Sequence, residues 1–148
     1  MKKAIIVFVY LLYNCAPFTY SHYKLSETEK TFIYKIQNQS TEFNYPEEQD
    51  ELYWGRAGSF VAQYSSMKIQ TANDFVIETY NPYSLFDFGW KIVKTPVDKD
   101  SNKIQINNIT THDSKSLREK ICAWYIRTGE LPPDPKIIYQ YRDLINKE

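Results

Sequence analysis

Residues able to do chemistry are few in this chain. It has two cysteines and two histidines in 148 residues. Cys15 and Cys122 have no Cys-x-x-Cys partner, and His22 and His112 form no His-x-x-x-His pair, so neither zinc nor dithiol patterns are present. Cys122 falls inside a helical pattern and lacks the electropositive setting that makes a thiolate, so it reads as a buried, inert thiol rather than half of a dyad with His112. His112-Asp113 precedes a helix, where the Asp serves as a cap. Asp98-Lys99-Asp100-Ser101-Asn102 copies the opening of a calcium loop, but Lys103 and Ile109 stand where that loop needs Gly and Glu. It reads as a hairpin turn. Asp87-Phe88-Gly89 matches the kinase magnesium triplet by letters alone, with no glycine-rich loop or His-Arg-Asp run beside it. No cofactor or metal is implied.

Carboxylates are the remaining candidates. Glu47, Glu48, Asp50 and Glu51 crowd together. They could bind a cation, but at the start of a helix their charge is accounted for by the helix dipole. Paired carboxylates can hydrolyse glycosides and acids are abundant, but sequence spacing singles out no pair. Asn38-Gln39-Ser40 and Asn108-Ile109-Thr110 are glycosylation sequons, relevant only in a eukaryotic secretory pathway. The chain carries 18 basic and 18 acidic residues, scattered without a stripe, which gives no general attraction for nucleic acid or anionic lipid.

The strongest sign of a contact surface is aromatic. Tyr80, Tyr83, Leu85, Phe86 and Phe88 fall within nine residues that also hold Pro82 and Asp87. Loops are normally polar, so these side chains either cap the core or meet a partner. They are the candidate partner-binding residues.

At the amino terminus, Lys2-Lys3 precede ten apolar residues, Ala4 to Tyr13, and Thr19-x-Ser21 suits cleavage before His22. Residues 1–21 therefore read as a secretory signal peptide, the alternative being a buried amino-terminal helix or strand. Ten apolar residues are too few to span a bilayer as helix, which takes about 20. Leu12 three positions before Cys15 resembles a bacterial lipoprotein signal, with Tyr13 and Asn14 where small residues stand in that signal. Cys15 is thus the candidate lipidation residue, and a lipid anchor is the only membrane association implied. Export predicts a periplasmic or surface location in a bacterium and secretion elsewhere.

The elements that must position these residues follow from periodicity. Ser26 and Glu29 form a capping box for a helix from about Glu27 to Gln39. Asn38 to Asn44 reads as a polar connector, and Pro46 as the start of a second helix. Residues 46–80 organise the rest: Tyr53, Ala57, Val61 and Tyr64 recur at helical spacing, then Met67, Ile69, Thr71 and Phe75, Ile77, Thr79 alternate as a hairpin. Trp54, Phe60 and Val61 are expected to pack on Ile69, Ile77 and Ile92. Gly89 to Thr95 and Lys103 to Ile109 are the third and fourth strands, with Pro96 ending the third or placing it at an edge. Ser116 and Glu119 offer a second capping box, Gly129 a stop, and Asp134-Pro135 the start of a last helix carrying Ile137, Ile138, Tyr141, Leu144 and Ile145.

The fold expected is α+β: a four-stranded antiparallel sheet with helices packed on one face, in the order α-α-β-β-β-β-α-α, with residues 22–148 as a single domain after the signal peptide. The function expected is a small exported, non-catalytic binding or accessory protein whose partner is another protein or an envelope component. The alternative is a small secreted hydrolase using acidic residues.

Overall fold

A computed structural model describes residues 25–84, 87–110 and 115–139. In chain order its elements are α1 (Glu27–Ile36), β1 (Glu42–Pro46), a 3-10 turn (Glu47–Gln49), α2 (Asp50–Tyr64), β2 (Ile69–Ala72), β3 (Val76–Thr79), β4 (Phe88–Asp98), β5 (Ser101–Thr110), α3 (Lys115–Thr128) and a 3-10 turn (Pro135–Ile138). The class is α+β, with an antiparallel sheet of five strands rather than four, ordered β1-β5-β4-β3-β2.

The additional strand is β1. It pairs with β5 from Glu42↔Gln105 to Pro46↔Ser101. The segment is short and lies at an edge, and only Phe43 and Tyr45 turn toward the core, so its composition resembles a connector. Pro46 is tolerated there because an edge strand need not donate outward. It ends the strand instead of starting α2, which begins at Asp50.

Period-two alternation builds the middle of the sheet. Phe88, Trp90, Ile92 and Lys94 of β4, with Asn102, Ile104, Ile106 and Asn108 of β5, face the helices and are buried. The opposite face carries Lys91, Lys103, Gln105 and Asn107 and stays wet. Pro96 lies beyond the reach of β3, whose register ends at Val76↔Val93, so one side of β4 is locally an edge there. Phe60 sits at the centre of the core, with ring centroids 5.1 Å from Tyr64, 5.3 Å from Trp90 and 5.5 Å from Tyr125. Val61, Ile77 and Ile92 are buried beside it, while Trp54 is only half-buried. Ile69, expected in this core, is exposed on edge strand β2.

Caps explain where the helices stop and start. Ser26 and Glu29 form the capping box of α1. Gly129, at φ 77°, ends α3 in a left-handed conformation that favours glycine. Arg56 of α2 donates from Nη1 to the carbonyls of Ile126 and Arg127, both at 3.0 Å, satisfying orphan acceptors at that end. Ser116 lies inside α3 rather than at its cap, and Glu119 instead accepts the Asn108 backbone N–H at 2.8 Å, tying α3 to β5. Asp134 caps the last turn by accepting from Lys136 N at 2.9 Å. The closing segment is a 3-10 turn with Ile137 and Ile138 buried, and Tyr141, Leu144 and Ile145 lie outside the described residues.

Candidate functional site

The loop after β3 leaves the sheet for a specific reason. β3 and β4 pair only as far as Glu78↔Lys91. At the next position the Thr79 hydroxyl accepts the Trp90 N–H at 2.9 Å, taking the part of a backbone carbonyl. Ser66 then occupies the place beside β4: its Oγ accepts from Phe88 N at 2.6 Å, and its N–H reaches Phe88 O at 3.2 Å. The chain from Tyr80 is thereby turned away from β4 and follows the end of β2, with Tyr80 N donating to Lys68 O at 3.0 Å.

This displacement separates the candidate partner-binding residues. Tyr80 is 53% exposed and Tyr83 87%. They border an open concavity of about 630 Å³ with Ser66, Met67, Lys68, Gln70 and Asn81. Phe88 turns inward, is 2% exposed and packs edge-on against Trp90 at 6.2 Å, with the Arg118 guanidinium 4.1 Å from its ring centroid. A ring so placed belongs to the core. Leu85, Phe86 and Cys15 lie outside the described residues, as does His112.

A second concavity, of about 720 Å³, lies at the other end of the β2–β3 hairpin, between α2 and the β4–β5 turn. Its floor is a polar network drawn from five elements: β1, the 3-10 turn after it, α2, β4 and β5. Asp50 Oδ1 accepts the Tyr45 hydroxyl at 2.6 Å and Asn102 Nδ2 at 3.2 Å, and its Oδ2 accepts the Lys94 ammonium at 2.6 Å. Asn102 also donates to Glu47. Lys94 is 8% exposed and lies 5.1 Å from the Trp54 ring centroid and 6.0 Å from that of Phe75. Trp54 is held by its indole N–H, which donates to Asn73 O at 3.0 Å.

The protonation states follow from these contacts. Burial opposes the Asp50 charge, but hydrogen bonds from Lys94 and Tyr45 outweigh it and hold the carboxyl below the usual carboxylate range. Burial, the hydrogen bond to Asp50 and the charges of Asp50 and Glu47 push the Tyr45 hydroxyl up. Cys122 is fully buried, and burial, then the charge of Glu119, raises its thiol well above the ordinary value. Among the described residues, no group of three or more His, Cys, Asp or Glu side chains is placed to hold a metal ion.

Sequence reasoning placed Glu47 and Asp50 at a helix start and missed Tyr45, Lys94 and Asn102 as their partners. A usable signal was present. Lys94 is in phase with Phe88, Trp90 and Ile92, and Asn102 with Ile104 and Ile106, so each is a polar residue on an inward face.

The sequons also separate. Asn108 is buried and its Nδ2 donates to Gly89 O at 2.9 Å, whereas Asn38 is exposed after α1. Among the described residues, no helix is long and apolar enough to cross a membrane. No protein-family model, curated protein or solved structure matches the chain.

Proposed function

We propose that this is a small exported, non-catalytic binding protein that engages another protein or an envelope component through the Tyr80–Tyr83 surface. The observation that carries the reading is the pair of exposed tyrosine rings that border one concavity with Met67, Lys68 and Gln70 at the start of edge strand β2. Rigid aromatic area of this kind dominates binding hot spots, because it removes much apolar surface from water at a small entropy cost. Among the described residues β2 is the last strand of the sheet, so one row of its backbone groups has no strand beside it and suits an extended segment of a partner. The alternative, a hydrolase using carboxylates, asks for an acid raised toward neutrality. In the larger concavity Asp50 is shifted the other way, which supports the binding reading.

The test is a Tyr80→Ala/Tyr83→Ala variant, compared with the parent in melting and in affinity capture from the native host. The expected outcome is an unchanged melt with loss of a stoichiometric partner, corresponding to about 2 kcal/mol or more of binding. A variant that keeps every partner, or that melts far below the parent, refutes the assignment.

A further inference from the structure

The cleft between α2, the β2–β3 turn and the β4–β5 hairpin has a chemistry that the Tyr80–Tyr83 surface does not use. Its innermost seat is already filled by an ammonium group: Lys94 Nζ lies against the Asp50 carboxylate and over the Trp54 and Phe75 rings. A carboxylate with two ring faces is the surrounding that compensates a desolvated cation. Beyond that seat, the lining carries four more carboxylates, Glu47, Glu51, Asp74 and Asp98, and one further cation, Lys99. Lys99 is exposed and turns to Asp100 at 3.5 Å. Glu51 and Asp74 enter no ion pair among the described residues. Phe75 is 54% exposed, so its ring offers a free face to the same space. Negative potential and open aromatic surface therefore coincide.

We propose that this cleft binds a lysine- or arginine-bearing segment of a partner protein, with a cationic side chain laid on the exposed face of Phe75 and its charge met by Glu51 and Asp74. Charge complementarity selects the occupant: five carboxylates face two ammonium groups, and one of these is spent on Asp50. The volume of about 720 Å³ falls within the range of ligand clefts, about 300–1,000 Å³, and exceeds what one cation fills. It therefore suits a stretch of chain rather than a lone ion.

The experiment is calorimetric titration of the full chain with capped tetralysine and tetra-arginine peptides at low and high salt. Binding is expected to weaken as salt rises. Glu51→Gln/Asp74→Asn should weaken it about tenfold, and Phe75→Ala about three- to fivefold. These side chains are exposed at the cleft mouth, and unchanged melts confirm folding of the variants. Glu27→Gln/Glu42→Gln makes the same change of net charge elsewhere and should leave affinity intact. The proposal is overturned if neither peptide binds, or if the remote pair weakens binding as much as the cleft pair. Free spermidine binding as tightly as the peptides overturns the assignment to a protein segment. So does binding of a neutral oligosaccharide that Phe75→Ala abolishes and Glu51→Gln/Asp74→Asn spares. Tyr80→Ala/Tyr83→Ala should not alter peptide binding, so the two surfaces stand or fail separately.

Discussion

Replacing Lys94 by methionine removes one charge from a pair that water scarcely reaches. Lys94 is 8% exposed, and its ammonium is 2.6 Å from Asp50 Oδ2. Methionine keeps most of the stem volume, so the packing loss is small. What remains is a carboxylate with two neutral donors, Tyr45 and Asn102. Breaking a fully buried pair costs about 3–5 kcal/mol. The Asp50 side chain is 25% exposed, so water recovers part of this, and a loss of about 2–3 kcal/mol is expected. Asp50→Asn strands the buried ammonium and should cost about 2 kcal/mol. The double variant holds no buried charge and should also cost only about 2 kcal/mol, leaving a coupling of about 2 kcal/mol or more. Urea denaturation followed by circular dichroism at neutral pH measures all three. A pH series adds the sign. Because the folded Asp50 pKa is depressed, its contribution is complete above about pH 4 and is lost as pH falls through the folded value. In Lys94→Met that depression shrinks, so the loss on acidification is smaller and is complete at a higher pH. A coupling below about 0.5 kcal/mol, or identical pH profiles, would refute the reasoning.

Phe60→Ala should cost about 3–5 kcal/mol, since it empties the centre of a four-ring cluster; a loss below about 1 kcal/mol in urea melts would place Phe60 outside the core. Gly58→Ala should stabilise by about 1 kcal/mol, because the new Cβ meets only Ile77 Cδ1 at 3.9 Å and the helix gains propensity. Gly89→Ala should do the opposite in the same melts, by about 1–3 kcal/mol, because its Cβ would lie 3.0 Å from the Tyr80 carbonyl and against Thr79 Oγ1, which accepts the Trp90 N–H. Amino-terminal sequencing of the protein from its host should begin near His22, or at Cys15 if the chain is lipidated, and an intact Met1 in the cytosol would exclude export.

What was legible in the sequence was set by neighbours along the chain. The Ser26–Glu29 box, the Gly129 stop and the Asp134-Pro135 start depend on contacts a few residues apart, and each is present. The alternation of β4 and β5 was legible because each strand has one buried face. β1 was not, because an edge strand with two core-facing residues scarcely differs from a connector, and its pairing to β5 is decided far along the chain. The aromatic crowd after β3 was visible as composition, but its division was not. Phe88 goes inward because it shares the phase of Trp90, while Tyr80 and Tyr83 stand out because Thr79 and Ser66 take over the bonding beside β4. The acidic cleft required a lysine and an asparagine from distant strands, and only their inward phase announced them.

The β4–β5 hairpin sets the order in which the sheet can assemble. Two residues, Lys99 and Asp100, join its strands, and Asp98 Oδ1 fixes the turn by accepting the Asp100 N–H at 2.9 Å. The longest ladder is thus also the one closed by the shortest turn, and closing so short a loop costs little entropy. β1 must be captured from much farther away: Glu42 meets Lys103 across 61 positions of chain. Nucleation is therefore expected at the middle of the sheet, with β1 added last, after the rate-limiting step. In kinetic terms, Asp98→Ala in the turn should slow refolding and leave unfolding nearly unchanged, whereas Tyr45→Phe in β1 should chiefly speed unfolding. A chevron in which both changes act on the same limb would contradict this order.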